Sequence, residues 1–195
     1  MAEVTIPAIK AGSASIGLVR ADVATELLSG AEVYTIFARA AWTMNINLVI
    51  QTEQQGRDWS GALARLSSFG NFFKASPPAY SGAAYTGSTP QVNGAAQLGT
   101  TLSLKNITPS AVVFRTGEYF EVNGELKIVT ATATANGSGI ASVSFEPPLR
   151  ASPADSASLV ITAPKASFRL AQPAAQWNIQ PGKFYAITID AVEKI

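Results

Sequence analysis

The chain contains neither cysteine nor histidine. Without thiols there are no disulfides, thiolate metal sites or cysteine nucleophiles, and the redox compartment leaves no mark. Without imidazole the commonest general base is missing, as are the usual zinc ligands and every Ser-His or Cys-His arrangement. Charge is scarce too: 14% of the 195 residues are charged, and 14 basic against 13 acidic side chains, scattered singly, leave a net +1. No basic stripe tracks a phosphate backbone, so nucleic acid is not expected as a primary partner. Long apolar runs are absent. No stretch approaches the roughly 20 apolar residues of a membrane span. In the opening MAEVTIPAIK, Glu3 precedes any basic residue and no continuous apolar segment follows, so a soluble chain without a membrane span is expected.

What is present is apolar and small. With 47% hydrophobic residues and a mean hydropathy of +0.19, the chain carries more apolar surface than a soluble monomer of its size needs, and part of that surface is expected at subunit interfaces. The length suits one large domain or two small lobes.

The first 30 residues mix small and apolar side chains without clear period and read as an arm or irregular strands whose order depends on packing. Val33–Arg39 and Trp42–Gln51 are strand-like. In the second run Met44, Ile46, Leu48 and Ile50 share one face opposite Thr43, Asn45, Asn47 and Gln51, and the two runs form one long bent strand or two tightly joined ones. Trp59, Leu63, Leu66 and Phe69 fall at helical spacing and predict a helix over 53–69 lying on a sheet, with Thr52 and Gln55 as a capping box and Gly70 as the stop. A short strand follows at Asn71–Ala75. Ser76–Gly99, rich in Gly, Ala, Ser, Thr and Pro, reads as an exposed connection.

Short strands follow at Thr101–Leu104, Ala111–Arg115, Tyr119–Val122, Leu126–Ala133, Ile140–Phe145 and Ser158–Thr162. Thr116-Gly117, Asn123-Gly124 and Asn136-Gly137 separate several of them as turns. Ala166–Leu170, Gln176–Ile179 and Phe184–Val192 complete the pattern. The expected fold is mainly β: a β-sandwich lobe over 1–75 and 164–195 carrying the helix, a connection over 76–99, and an inserted small β-barrel or sandwich lobe over 100–163.

Three glutamates, Glu118, Glu121 and Glu125, are the only cluster suggestive of glycoside hydrolysis. Pleat alternation puts Glu118 and Glu121 on opposite sides, and Glu125 follows an Asn-Gly turn, so solvated hairpin charges are the favoured reading. Gly137–Gly139 lacks the lysine and following helix of a phosphate loop and reads as a turn. Asp190 lies opposite Ile187 and Ile189, as a solvent-facing or interface carboxylate. Pro147-Pro148 is expected to force its strand out of the sheet as a rigid corner, with Arg150 as a fork seeking a carbonyl or carboxylate. Trp42 and Trp59 read as core, which leaves Trp177 and Tyr119 as the candidate glycan or interface aromatics. No catalytic, cofactor or metal residue is expected, and the chain reads as no enzyme.

The order of these elements resembles minor-tail and distal-tail proteins of tailed bacteriophages. It is carried by the Trp42 strand, the helix leading into Gly70-Asn-Phe-Phe, and the stretch from Asn93 to Leu102. Later come Arg115-Thr-Gly-Glu-Tyr-Phe-Glu-Val-Asn-Gly-Glu-Leu-Lys-Ile-Val129, Phe145-Glu-Pro-Pro-Leu-Arg150 and Phe168-Arg-Leu. The resemblance covers roughly residues 30–195 and implies a virion protein, assembled in the host cytoplasm. It implies a belt-like β-sandwich subunit of a hexameric ring that joins the tail tube to tip or fibre proteins. A carbohydrate-binding module for host-surface glycans is the alternative, and a glycosidase built on the glutamates a third.

Overall fold

A computed structural model describes residues 2–26, 32–50, 52–172, 177–180 and 184–195. The fold is mainly β and sandwich-like, with one helix among the described residues. Its strands are β1 (Ala11–Glu26), β2 (Glu32–Val49), β3 (Phe73–Ala75), β4 (Gln91–Val92), β5 (Gly99–Lys105), β6 (Val112–Phe114), β7 (Tyr119–Val122), β8 (Glu125–Ala131), β9 (Ala133–Thr134), β10 (Ala141–Leu149), β11 (Ala166–Leu170), β12 (Asn178–Gln180) and β13 (Phe184–Glu193). The helix, α1, spans Glu53–Leu66. Two compact units result: the first holds Met1–Val19, Ala41–Pro78 and Ser167–Ile195, the second Arg20–Ala40 and Ala79–Ala166.

The first unit is built on a sheet in the order β1-β2-β13-β11-β3, with β12 on β13. The alternation in β2 fixes its register against β13: Leu48 pairs with Ile187, Ile46 with Ile189 and Met44 with Ala191, all buried, while Asn47 pairs with Thr188 and Asn45 with Asp190 on the other face. The two strand-like runs are thus one strand; Gln51 lies outside the described residues, as does Gln176 at the start of the β12 run.

α1 packs on β13 through Trp59, Leu63 and Leu66, each at most 4% exposed. Gly56 sits directly on the Tyr185 ring, where a Cβ would come within 2.2 Å of it, so the helix can approach only because that position has no side chain. The Thr52 hydroxyl accepts from the Gln55 amide, Glu53 stands in the first turn and Arg65 in the last. Phe69 departs from the predicted stripe. The helix stops at Leu66, the Asn71 carboxamide takes the Arg65 carbonyl, and the turn that follows leaves Phe69 98% exposed.

Of the arm or irregular strands expected at the opening of the chain, the described residues show a strand, and a regular one. Val4 is buried and donates to the Phe72 carbonyl, and β1 is a regular strand on β2; residues 27–31 lie outside the described residues. The pattern hid this because β1 begins Ala-Gly-Ser-Ala-Ser, whose small side chains carry no hydropathic period.

The second unit holds a five-stranded sheet, β4-β5-β10-β8-β7, and the β6-β9 pair. Its core centres on Phe120, whose ring contacts Phe114 at 5.1 Å and Phe145 at 5.5 Å. Gly139 lies at φ +70 beside the Ile107 carbonyl, 2.4 Å from where a Cβ would stand, so only glycine closes this turn. Residues 79–99 are woven into this unit and do not form a free connection. The Ala83 amide donates to Ile161, Leu159 donates to Pro90, and Val92 is fully buried. Ser158–Thr162 supplies isolated bridges in place of a strand. Among the described residues no helix is long and apolar enough to cross a membrane.

Candidate functional site

The glutamates are each committed to backbone. Glu118 accepts from the amides of Ala84 at 3.0 Å and Arg115 at 2.8 Å, closing the turn before β7. Glu121 accepts from the Lys165 amide at 2.9 Å. Glu125 overturns the expectation of a solvated charge. It is 6% exposed, and its Oε2 takes the Lys127 ammonium at 2.7 Å and the Arg150 amide at 3.1 Å. Lys127 is fully buried, also donates to the Pro148 carbonyl at 2.9 Å, and stands 5.9 Å from the Phe145 ring centroid.

That pair explains a second departure. Pro147 and Pro148 do not drive β10 out of the sheet; the strand runs to Leu149, which pairs with Gly99. Prolines cannot donate to a ladder, and the β10–β8 pairing ends at Glu146 with Ile128. Beyond it Lys127 and Glu125 hold β10 by their side chains, taking the Pro148 carbonyl and the Arg150 amide. The Arg150 guanidinium donates to the Ala40 carbonyl at 3.4 Å.

Of the two aromatics expected to recognise a ligand, Tyr119 belongs to the second unit and Trp177 to the first. The Tyr119 ring packs edge-on against Tyr80 at 5.2 Å, and the Tyr80 hydroxyl donates to the Tyr119 carbonyl. Burial pushes both phenols above their ordinary pKa, the Tyr119 carbonyl opposing and the Glu118 charge adding at Tyr80. Trp177 is 40% exposed.

The first unit presents a polar sheet face that composition alone does not reveal. Asn47 donates to the Ser13 hydroxyl at 2.8 Å and accepts from Thr188 at 2.6 Å; Asn45 donates to Asp190 at 2.5 Å; Thr43 donates to the Gly17 carbonyl at 3.3 Å. These bonds cross-link β1, β2 and β13, all but the Thr43 bond running side chain to side chain. Asp190 thus has the exposed, sheet-face position expected of it, with Asn45 as its partner. An open groove of about 460 Å³ runs over this face, bordered by Ser15, Gly17, Asn45, Gln172 and Asp190. Its lining mixes amides, hydroxyls and one carboxylate with the apolar Ile16, Met44 and Val192.

β1 is the other conspicuous surface. Among the described residues it has a sheet neighbour on one side only, residues 11–15 are exposed on both faces of the strand, and Val19 is 54% exposed. The opposite edge, β3, has three residues. Among the described residues no group of three or more acidic side chains forms a metal-binding cluster. No protein-family model and no curated protein matches the chain.

Proposed function

We propose that the chain is a structural subunit of a bacteriophage tail, a distal-tail or minor-tail protein that closes into a ring between the tail tube and tip or fibre proteins. On this reading it resides in the virion, is assembled in the host cytoplasm, catalyses nothing, and adopts the hexameric, belt-like arrangement implied by the resemblance. The observation that carries it is the 16-residue edge strand β1, exposed on both faces along residues 11–15. An open edge of that length is a template for another chain and is normally blunted by charge or proline. Here Arg20 is the first charged residue in the strand. A heterologous contact joins two different surfaces and closes by rotation, which suits a subunit with a long edge on one side of its sheet and a short one on the other.

Sedimentation and native mass of the full chain test this. A closed ring is expected, and Ala14→Lys, a charge placed on the exposed part of β1, should yield monomers with an unchanged melting temperature. A chain that stays monomeric at high concentration with its tail partners present overturns the proposal. The carbohydrate-binding reading has Trp177, 40% exposed, in its favour. Glycan binding by an isolated monomer, lost in Trp177→Ala, would establish it in place of the ring.

A further inference from the structure

Three Asn-Gly dipeptides punctuate the second unit: Asn93-Gly94, Asn123-Gly124 and Asn136-Gly137. An asparagine followed by glycine is chemically vulnerable because the next backbone nitrogen can attack the side-chain carboxamide, and glycine has no side chain to obstruct the approach. The structure protects two of the three. The Asn93 carboxamide donates to the Ser103 hydroxyl at 3.1 Å, and the Gly94 amide, the group that would attack, donates to Asp155 at 2.8 Å. The Asn136 side-chain oxygen accepts from the amides of Ser138 at 2.9 Å and Ile140 at 3.0 Å. Asn123 is exposed, and among the described residues neither its carboxamide nor the Gly124 amide has a hydrogen-bond partner.

We propose that Asn123 is a site of spontaneous deamidation, and that the change is transmitted to the buried Glu125–Lys127 pair. The Gly124 nitrogen gives up its proton to solvent base and bonds to the Asn123 Cγ. The Cγ–Nδ2 bond breaks, ammonia leaves with a proton from solvent, and a five-membered imide closes. Water then adds to one of the two imide carbonyls and breaks that C–N bond. Opening at one carbonyl gives an aspartate in the ordinary chain; opening at the other gives an isoaspartate whose backbone runs through the former side chain. The sum is asparagine plus water to carboxyl plus ammonia, with no redox change. The turn must open for the attack, because Asn123 and Gly124 both hold positive φ, 53 and 76. Opening here breaks no side-chain hydrogen bond, whereas at Asn136 it breaks two. An isoaspartate adds a backbone atom to a two-residue turn closed by Val122 and Glu125, and either product places a new carboxylate two residues before Glu125 in the chain.

The test is incubation of the full chain in mildly alkaline buffer, with peptide mapping and isoaspartate quantification by mass spectrometry. Asn123 should convert about thirtyfold faster than Asn93 or Asn136, the factor that two hydrogen bonds of ordinary net strength supply. In urea the three rates should converge. Unit 2 of the aged protein should melt lower, while Asn123→Gln, whose longer side chain cannot close the same ring, should hold its melting temperature. Equal rates in the folded protein overturn the assignment, as does a difference that persists in urea. Conversion without any change in melting overturns the link to the ion pair.

Discussion

Lys127→Met keeps the length of the side chain and removes its ammonium. Glu125 is then left 6% exposed without its cation, and the Pro148 carbonyl loses its donor. Breaking a buried pair from one side costs about 3–5 kcal/mol. If Lys127 and Glu125 were simply an ion pair, replacing both, as Lys127→Met with Glu125→Leu, would be neutral or stabilising by about 1–4 kcal/mol. The pair does more than this, because it stands in for ladder bonds that two prolines cannot provide. The double variant leaves the part-buried Pro148 carbonyl and the Arg150 amide without their side-chain partners, at up to about 1–3 kcal/mol each, which cancels the gain of a simple ion-pair replacement, so it should not exceed wild type. Urea unfolding followed by the near-ultraviolet tyrosine signal reports chiefly on unit 2, which holds Tyr80, Tyr85 and Tyr119, with Tyr185 the contribution of unit 1. All three tryptophans lie in unit 1, so their fluorescence should be unmoved. A double variant more stable than wild type by about 1–4 kcal/mol would refute this role of the pair.

Gly56→Ala should cost about 1–3 kcal/mol by overpacking against Tyr185, and Tyr185→Leu in the same chain should return part of it in denaturant melts. Leu63→Ala, at 2% exposure on the packed side of α1, should lose about 2–5 kcal/mol in the same assay. Asp155 is held down to about 2 by the Lys105 ammonium first, then by the Gly94 amide and the Ser156 hydroxyl. Its carboxylate therefore stabilises the fold fully above the ordinary value of 3.8, and that contribution is lost as pH falls through about 2. Melting temperature against pH should show this acid-limb loss in wild type and a flatter limb in Asp155→Asn.

The elements most legible in the sequence were those whose burial is one-sided. Met44, Ile46 and Leu48 alternate with polar residues because one face of β2 meets the core and the other the polar ladder. Trp59, Leu63 and Leu66 gave the helix for the same reason, and Phe69 misled because a stripe does not show where the last turn unwinds. β1 was hidden because an edge strand of Ala, Gly and Ser packs little and so has no pattern to show. The fate of Glu125 was illegible from pleat alternation, which places a side chain on a face without saying what covers it. The one local signal was Lys127 two residues on, which alternation puts on the same side. The polar face was half visible as Asn45, Asn47 and Asp190. Their pairing with Ser13 and Thr188 depends on a register between strands far apart in the chain.

That same register orders events in time. The sheet strands of unit 2, β4 to β10, lie within one continuous run of chain, so each can find its neighbours soon after synthesis. β2 instead waits for β13, which is made only after unit 2 is complete, and contacts so distant in sequence form slowly. During that interval Trp42, Met44, Ile46 and Leu48 lack the strand that completes their sheet. A nascent chain stalled before Phe184 would thus carry a finished second unit and an aggregation-prone first one, which makes arrival of β13 the step at which the subunit becomes safe to accumulate.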